Sequence, residues 1–167
     1  MLVVLRGGAG SGESTAAAAL QRELGRPAAV LGQDHFRRVV FNERTGESHP
    51  DGMEHAALLE LAAEHLLAAG RHVVIEGILA ASRYAAMLER LAGAADDARF
   101  LADDLTLEET VRRHATRPQP AHFGADELRE WYRGWDPLPF VAEQRIGPEA
   151  SVQDVVDRVL GGRPSTG

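Results

Sequence analysis

The sequence predicts an α/β fold built on a mainly parallel central sheet. Short apolar runs, several ending in glycine or an acidic residue, alternate with segments of helical periodicity. The first run leads directly into a glycine-rich turn that opens a helix. The balance of the chain agrees: 167 residues, 44% hydrophobic and 26% charged, is the size and mix of one well-packed globular domain.

Leu2–Leu5 is a continuous apolar run, the pattern of a strand buried on both faces. The loop Gly7–Thr15 (GGAGSGEST) follows, then a helix over Ala16–Leu24 that Gly25-Arg26-Pro27 ends. Ala28–Leu31 is a second strand, closing on Gly32, Gln33 and Asp34. Asn42–Gly52 is polar, rich in turn residues, and reads as a loop. The Ala/Leu segment Glu54–Ala69 is a helix with Leu58, Ala62 and Leu66 on one face, stopped by Gly70. His72–Ile75 is a third strand, ending on Glu76-Gly77.

Ser82 is placed to cap a helix to Leu91, with Gly93 past its end. Arg99–Ala102 is a weaker strand, followed by Asp103 and Asp104 as loop and cap residues. Thr106-Leu-Glu-Glu109 is a capping box opening a helix to about Thr116, which Pro118-Gln119-Pro120 breaks. Asp126–Arg133 reads as a short helix carrying Trp131 and Tyr132, and Val141–Ile146 as an irregular fifth strand. Ser151 caps a last helix through Val152, Val155, Val156, Val159 and Leu160. Residues 1–160 thus read as one domain and 161–167 as a tail.

Composition narrows the function classes. A net charge of −7 argues against a broad basic face for duplex nucleic acid and leaves room only for a local Arg cluster. Without cysteine there are no disulfides or thiolate metal sites, and seven His at scattered spacing give no zinc pattern. No apolar run approaches the ~20 residues of a membrane span, and MLVVLR is too short for a signal peptide. The expectation is a cytoplasmic protein with a small-molecule substrate, neither nucleic-acid- nor membrane-bound, monomeric or homodimeric. All 18 basic residues are Arg, so no lysine is available for chemistry.

Gly7-x-x-x-x-Gly12-Glu13-Ser14, set between a buried strand and a helix, has the context of a phosphate-binding loop, with Glu13 where the pattern asks for Lys. Glycines let successive backbone N–H groups surround a phosphate, and the helix start adds its positive dipole end. The dinucleotide fingerprint fails, because Gly8-x-Gly10 is followed at its third position by Glu13. At ~4 Å and an effective dielectric of ~20, two unit charges interact by roughly 4 kcal/mol, so exchanging Lys for Glu costs several kcal/mol before relaxation. Three readings stay open. Glu13 is an accidental or engineered change in an active kinase, the mark of a relic that binds nucleotide poorly, or a residue for other chemistry, such as a general base or a ligand for a cationic substrate.

With GGAGSGEST, QDHFRR (Gln33–Arg38), VVIEG (Val73–Gly77) and TLEETVRRHATRP (Thr106–Pro118) in view, the chain resembles the small P-loop kinases over about residues 1–160. Adenylate, shikimate and gluconate kinases belong to that group. The resemblance is greatest to the zeta-toxin and chloramphenicol-phosphotransferase-like branch, often labelled AAA-family ATPases. It implies a five-stranded parallel sheet in the order 2-3-1-4-5 and an ATP- and Mg²⁺-dependent phosphotransferase. On that resemblance Gly7, Gly8, Ala9, Gly10, Ser11, Gly12, Glu13, Ser14 and Thr15 form the nucleotide cradle. Ser14 and Glu76 serve Mg²⁺. Asp34 receives the proton of an acceptor hydroxyl, with Arg37, Arg38 and Glu76 at the substrate. Arg113 and Arg117, with Arg112 beside them, belong to a lid over about 106–125 that neutralises transferring charge, and Arg113 stacks on adenine.

Each of these residues also has a plainer reading. Asp34 is positioned to cap a helix through Phe36–Phe41. Glu76 is a carboxylate bonded to its neighbouring loop, and the arginines are a solvated helix face paired with Glu108 and Glu109. Trp131, Tyr132 and Trp135 are core residues or a wall of the acceptor pocket.

Overall fold

The computed structural model describes residues 1–8, 11–43, 53–115, 126, 128, 129, 132 and 134–161. Five parallel strands lie in the order β2-β3-β1-β4-β5. They are β1 (Leu2–Arg6), β2 (Ala28–Gly32), β3 (His72–Gly77), β4 (Ala98–Asp103) and β5 (Gln144–Ile146). The helices are α1 (Glu13–Leu24), α2 (Gln33–His35) running into a π-helical stretch Phe36–Val40, α3 (Glu54–Ala68), α4 (Ala81–Ala94), α5 (Leu107–Ala115) and α6 (Val152–Leu160). Fold class and strand order are as the sequence and its resemblance imply.

The period of two along a strand sorts the core into two layers. Leu2, Val4, Val73 and Ile75 face α3 and α4, packing on Leu59, Tyr84, Leu88 and Leu91. Val3, Leu5, Val74 and Leu101 face α1 and α6, packing on Ala17, Leu20, Val155, Val156 and Val159. Register aligns the strand ends: Leu5 pairs Glu76, Arg6 pairs Ala102, Gly32 pairs Glu76 and Asp103 pairs Ile146. The candidate residues of four strands therefore meet at one edge, where open α/β sheets bind ligands.

Several local expectations change. The buried face of α3 is His55, Ala56, Leu59 and Ala63, whereas Leu58 is 39% exposed. Ala and Leu fill ten of its fifteen positions without a clear stripe, so periodicity does not select a face. His55 contributes to that selection: its ring nitrogens lie 2.8 Å from Glu43 Oε1 and 2.8 Å from Tyr84 Oη, inside the protein. Ser82 does not cap α4. The helix starts at Ala81, whose N–H donates to Asp136 Oδ2 at 2.7 Å.

Only half of the capping box on α5 forms. Thr106 Oγ1 accepts from Glu109 N at 3.2 Å, but the Glu109 carboxylate turns to Arg112 and Arg113. On α6 the box is complete, between Ser151 and Asp154. The fifth strand is shorter than expected, Gln144–Ile146. Asp126, Leu128 and Arg129 are helical, while Trp131 and residues 162–167 lie outside the described residues. No helix among the described residues is long and apolar enough to cross a membrane.

Candidate functional site

The loop after β1 turns at Gly8, whose carbonyl accepts from Ser11 N (3.2 Å) and Ser11 Oγ (3.0 Å). Gly12 has φ of 109°, a conformation glycine adopts without strain, and its carbonyl accepts from Thr15 and Ala16 to start α1. Ala9 and Gly10 lie outside the described residues.

Glu13, the first residue of α1, turns inward rather than to solvent. Its Oε1 is buried and has no hydrogen-bond partner. A β-carbon on Gly7 would collide with Glu13 Oε1, Ser11 Oγ and Asp103 Oδ2, so the three oxygens are close neighbours beside that glycine. Burial, and then the charge of Asp103, push the Glu13 carboxyl up to about 8, against the pull of the Ser11 hydroxyl. Asp103 is likewise raised to about 6 by burial, with Ser11 and the Arg113 charge opposing. Burial thus disfavours the charged form of both carboxyls, and of Glu13 the more. Asp103 is not the loop residue the sequence implies but the last residue of β4, and register with β1 carries it to the loop.

Ser14 Oγ donates to Glu76 Oε2 at 3.0 Å. Burial raises the Glu76 pKa, the Ser14 hydroxyl lowers it, and nearby Asp34 raises it further. Gly32 makes room, since a β-carbon there would stand 2.5 Å from Glu76 Oε1. An alcohol and a carboxylate are hard oxygen donors and fit Mg²⁺, which takes one or two carboxylates plus phosphate and water. The phosphate cradle fits less simply, because Glu13 and Asp103 place carboxyl oxygens where lysine would place a cation. Among the described residues no group of three or more His, Asp or Glu is arranged for a metal.

Asp34 does not cap a helix. Gly32 occupies that position, and Asp34 lies in the first turn, 53% exposed, with Oδ2 3.2 Å from Arg38 Nε. It is close enough to Glu76 to act on its charge. Arg37 turns away, its Nε donating to Glu43 Oε2 at 2.8 Å. Gln33, beside Asp34, is buried and donates from Nε2 to Tyr84 Oη at 2.7 Å. Gly77, at φ 140°, leaves space for the Gln33 side chain.

On α5, Arg113 reaches the loop: Nη1 donates to Ser11 O at 2.9 Å and Nη2 to Pro148 O at 2.6 Å. Its Nε bonds Glu109, which Arg112 grips from the exposed side. These two arginines hold Glu109 down to about 2. Arg117 lies outside the described residues.

Two cavities flank the loop. One of about 130 Å³ lies over Gly7, Gly8 and Asp103, with Tyr132 and Trp135 in its wall. The other, of about 280 Å³, is lined by Ser11, Glu13, Asp103, Arg113, Ala150 and Val155.

Sequence reasoning missed Arg6 as well as Asp103. Arg6 closes β1 with its side chain 5% exposed, Nη1 bonded to both Glu143 oxygens at 2.7 and 2.6 Å. Its Nε donates to Leu79 O at 2.8 Å and its Nη2 to Asp136 O at 2.9 Å. The signal was an arginine closing an otherwise apolar strand.

No curated protein matches the chain. Solved structures do. An APS kinase from Mycobacterium tuberculosis, solved with AMPPNP and APS, is 22% identical, with 96% of this chain and 95% of that one covered and a TM-score of 0.65. A gluconokinase from Sinorhizobium meliloti is 16% identical (96% and 89% covered, TM-score 0.64). A shikimate kinase from Aquifex aeolicus is 18% identical (96% and 94% covered, TM-score 0.60). At such identities the likeness is one of fold, and the fold is that of the small P-loop kinases. Residues 2–136 match the family described as an AAA domain, and the chain belongs to that family.

Proposed function

We propose that the protein is an ATP- and Mg²⁺-dependent phosphotransferase acting on a hydroxyl of a small molecule. The observation that carries this reading is the Ser14–Glu76 contact at the start of α1, with exposed Asp34 beside it and a glycine loop behind it. ATP would supply the transferable phosphoryl group, and Ser14 and Glu76 would hold its Mg²⁺. Asp34, oriented by Arg38, accepts the proton of the acceptor hydroxyl. Arg113 brings positive charge to the loop at Ser11, and Arg117 is assigned the same work. The names of the neighbours, which act on gluconate, shikimate and APS, support a small acceptor. The reading takes residues 1–160 as one domain with a lid over about 106–125, working in the cytoplasm as a monomer or homodimer.

A second reading is favoured by one observation, the buried Glu13 in the cradle. In it the fold binds a phosphorylated or cationic metabolite and performs no transfer. Calorimetry of MgATP binding to the wild-type chain and to Glu13→Lys tests the first. Binding by either supports the phosphotransferase, and the Lys variant binds more tightly if Glu13 silences it. If neither binds, the phosphotransferase reading fails and the second stands.

A further inference from the structure

We propose that Glu13 and Asp103, with the Ser11 hydroxyl, form a second divalent-cation site inside the phosphate loop, separate from the Ser14–Glu76 pair. The ion held there supplies the positive charge that a P-loop lysine would supply. That last step rests on the phosphotransferase reading. The site itself does not.

The three oxygens come from three places in the fold: the loop, the first residue of α1 and the end of β4. All three lie within 2.4 Å of the point where a β-carbon on Gly7 would stand, so they are close neighbours beside that glycine. Two of them are carboxyl oxygens, and Glu13 Oε1 is sealed from solvent with no hydrogen-bond partner. Buried polar atoms in native proteins are paired with protein, water or ion, and Glu13 Oε1 has no partner among the protein atoms.

The basic side chains nearby have other bonds. Arg113 donates to Ser11 O, Pro148 O and Glu109, and Arg6 to Glu143, Asp136 and Leu79 O. Neither satisfies Glu13 Oε1. An oxygen-only set of two carboxylates and an alcohol selects a hard cation. Two carboxylates and an alcohol leave an octahedral ion incomplete, to be finished by water and a phosphate oxygen. The cavity of about 280 Å³ that Ser11, Glu13 and Asp103 line has room for them.

A phosphate oxygen completing the shell couples the ion to nucleotide, each raising the affinity of the other by the same factor. The ion also removes the conflict inside the cradle, since it stands between two carboxylates and the incoming polyphosphate.

The test counts Mn²⁺ bound to the whole chain by electron paramagnetic resonance, at mildly alkaline pH, with and without a non-hydrolysable ATP analogue. Wild type is expected to bind two ions with the analogue. Glu13→Gln and Asp103→Asn each drop the count to one, and Glu76→Gln removes the other ion. Without analogue, Glu13→Gln and Asp103→Asn weaken Mn²⁺ binding about tenfold or more, the loss typical when groups supporting a metal are removed. Glu13→Lys binds one ion yet keeps the analogue, because the ammonium replaces the second ion. Equal Mn²⁺ counts and affinities in wild type, Glu13→Gln and Asp103→Asn, all folded by circular dichroism, overturn the proposal. If the analogue binds to no form while the Glu13-dependent Mn²⁺ site persists, the phosphotransferase reading has failed and the cation site has not.

Discussion

Glu13 is the residue on which most of the chemistry turns, and its burial has a measurable consequence. Its carboxyl ionises near 4.5 when unfolded and at about 8 in the fold, so the native state binds more protons between those values. Stability therefore falls as pH rises through that window, by up to ~1.4 kcal/mol per unit, and levels off above it. The neutral amide of Glu13→Gln removes this dependence. In the presence of chelator, the melting temperature of Glu13→Gln minus that of wild type should grow as pH is raised from about 5 to 8, by ~2–4 °C for each kcal/mol. Parallel melting curves would show that the carboxyl is hydrated after all. Asp34 makes a different prediction, because its pairing with Arg38 is on the surface and adds little to stability. In a form that turns over, Asp34→Asn should lower kcat about 100-fold or more while the melting temperature stays within a degree or two. An unchanged kcat would remove Asp34 from the role of base.

The elements around the site are held by polar contacts that cross between them. Glu43, His55, Tyr84 and Gln33 form one buried chain joining the start of α2, α3 and α4. Burial lowers the His55 pKa and raises that of Tyr84, which keeps both neutral in the interior. Tyr84→Phe leaves His55 and Gln33 each short of a partner and should cost about 1–3 kcal/mol by chemical denaturation. The same substitution should loosen Gln33 and with it the placement of Asp34. The start of α4 offers a sharper contrast. Ser82→Ala should change stability by less than about 0.5 kcal/mol, since Ser82 caps nothing. Asp136→Ala removes both the acceptor of Ala81 N–H and a partner of Arg6, and should cost about 2 kcal/mol or more. Equal effects from the two substitutions would contradict the capping described here.

Across the whole molecule, what was legible in the sequence was whatever the chain declares within a few residues. The apolar runs of β1 and β3 and the glycine loop that opens α1 are such signals, and Ser14, Glu76 and Asp34 stand at helix starts or a strand end as their spacing implies. Asp103 was misread because its partners, Ser11 and Glu13, lie some ninety residues earlier and meet it only through the pairing of β1 with β4. The buried face of α3 was misread because ten of its fifteen positions are Ala or Leu, so the choice fell to tertiary contacts. The pairing of Arg6 with Glu143 was hidden in the same way, the two being 137 positions apart.

That last pair bears on how the chain is made. Arg6 closes β1, yet the Glu143 carboxylate that neutralises it follows only after β4 and Asp136. A nascent chain that has released β1 through β4 still carries an unmatched guanidinium at the centre of its sheet, and burying it alone is heavily unfavourable. The sheet is expected to close only once residue 143 is available to it. A polypeptide cut at residue 136, the limit of the matched family segment, keeps Asp136 but loses Glu143. It should emerge as a chaperone client rather than as a smaller version of the same protein.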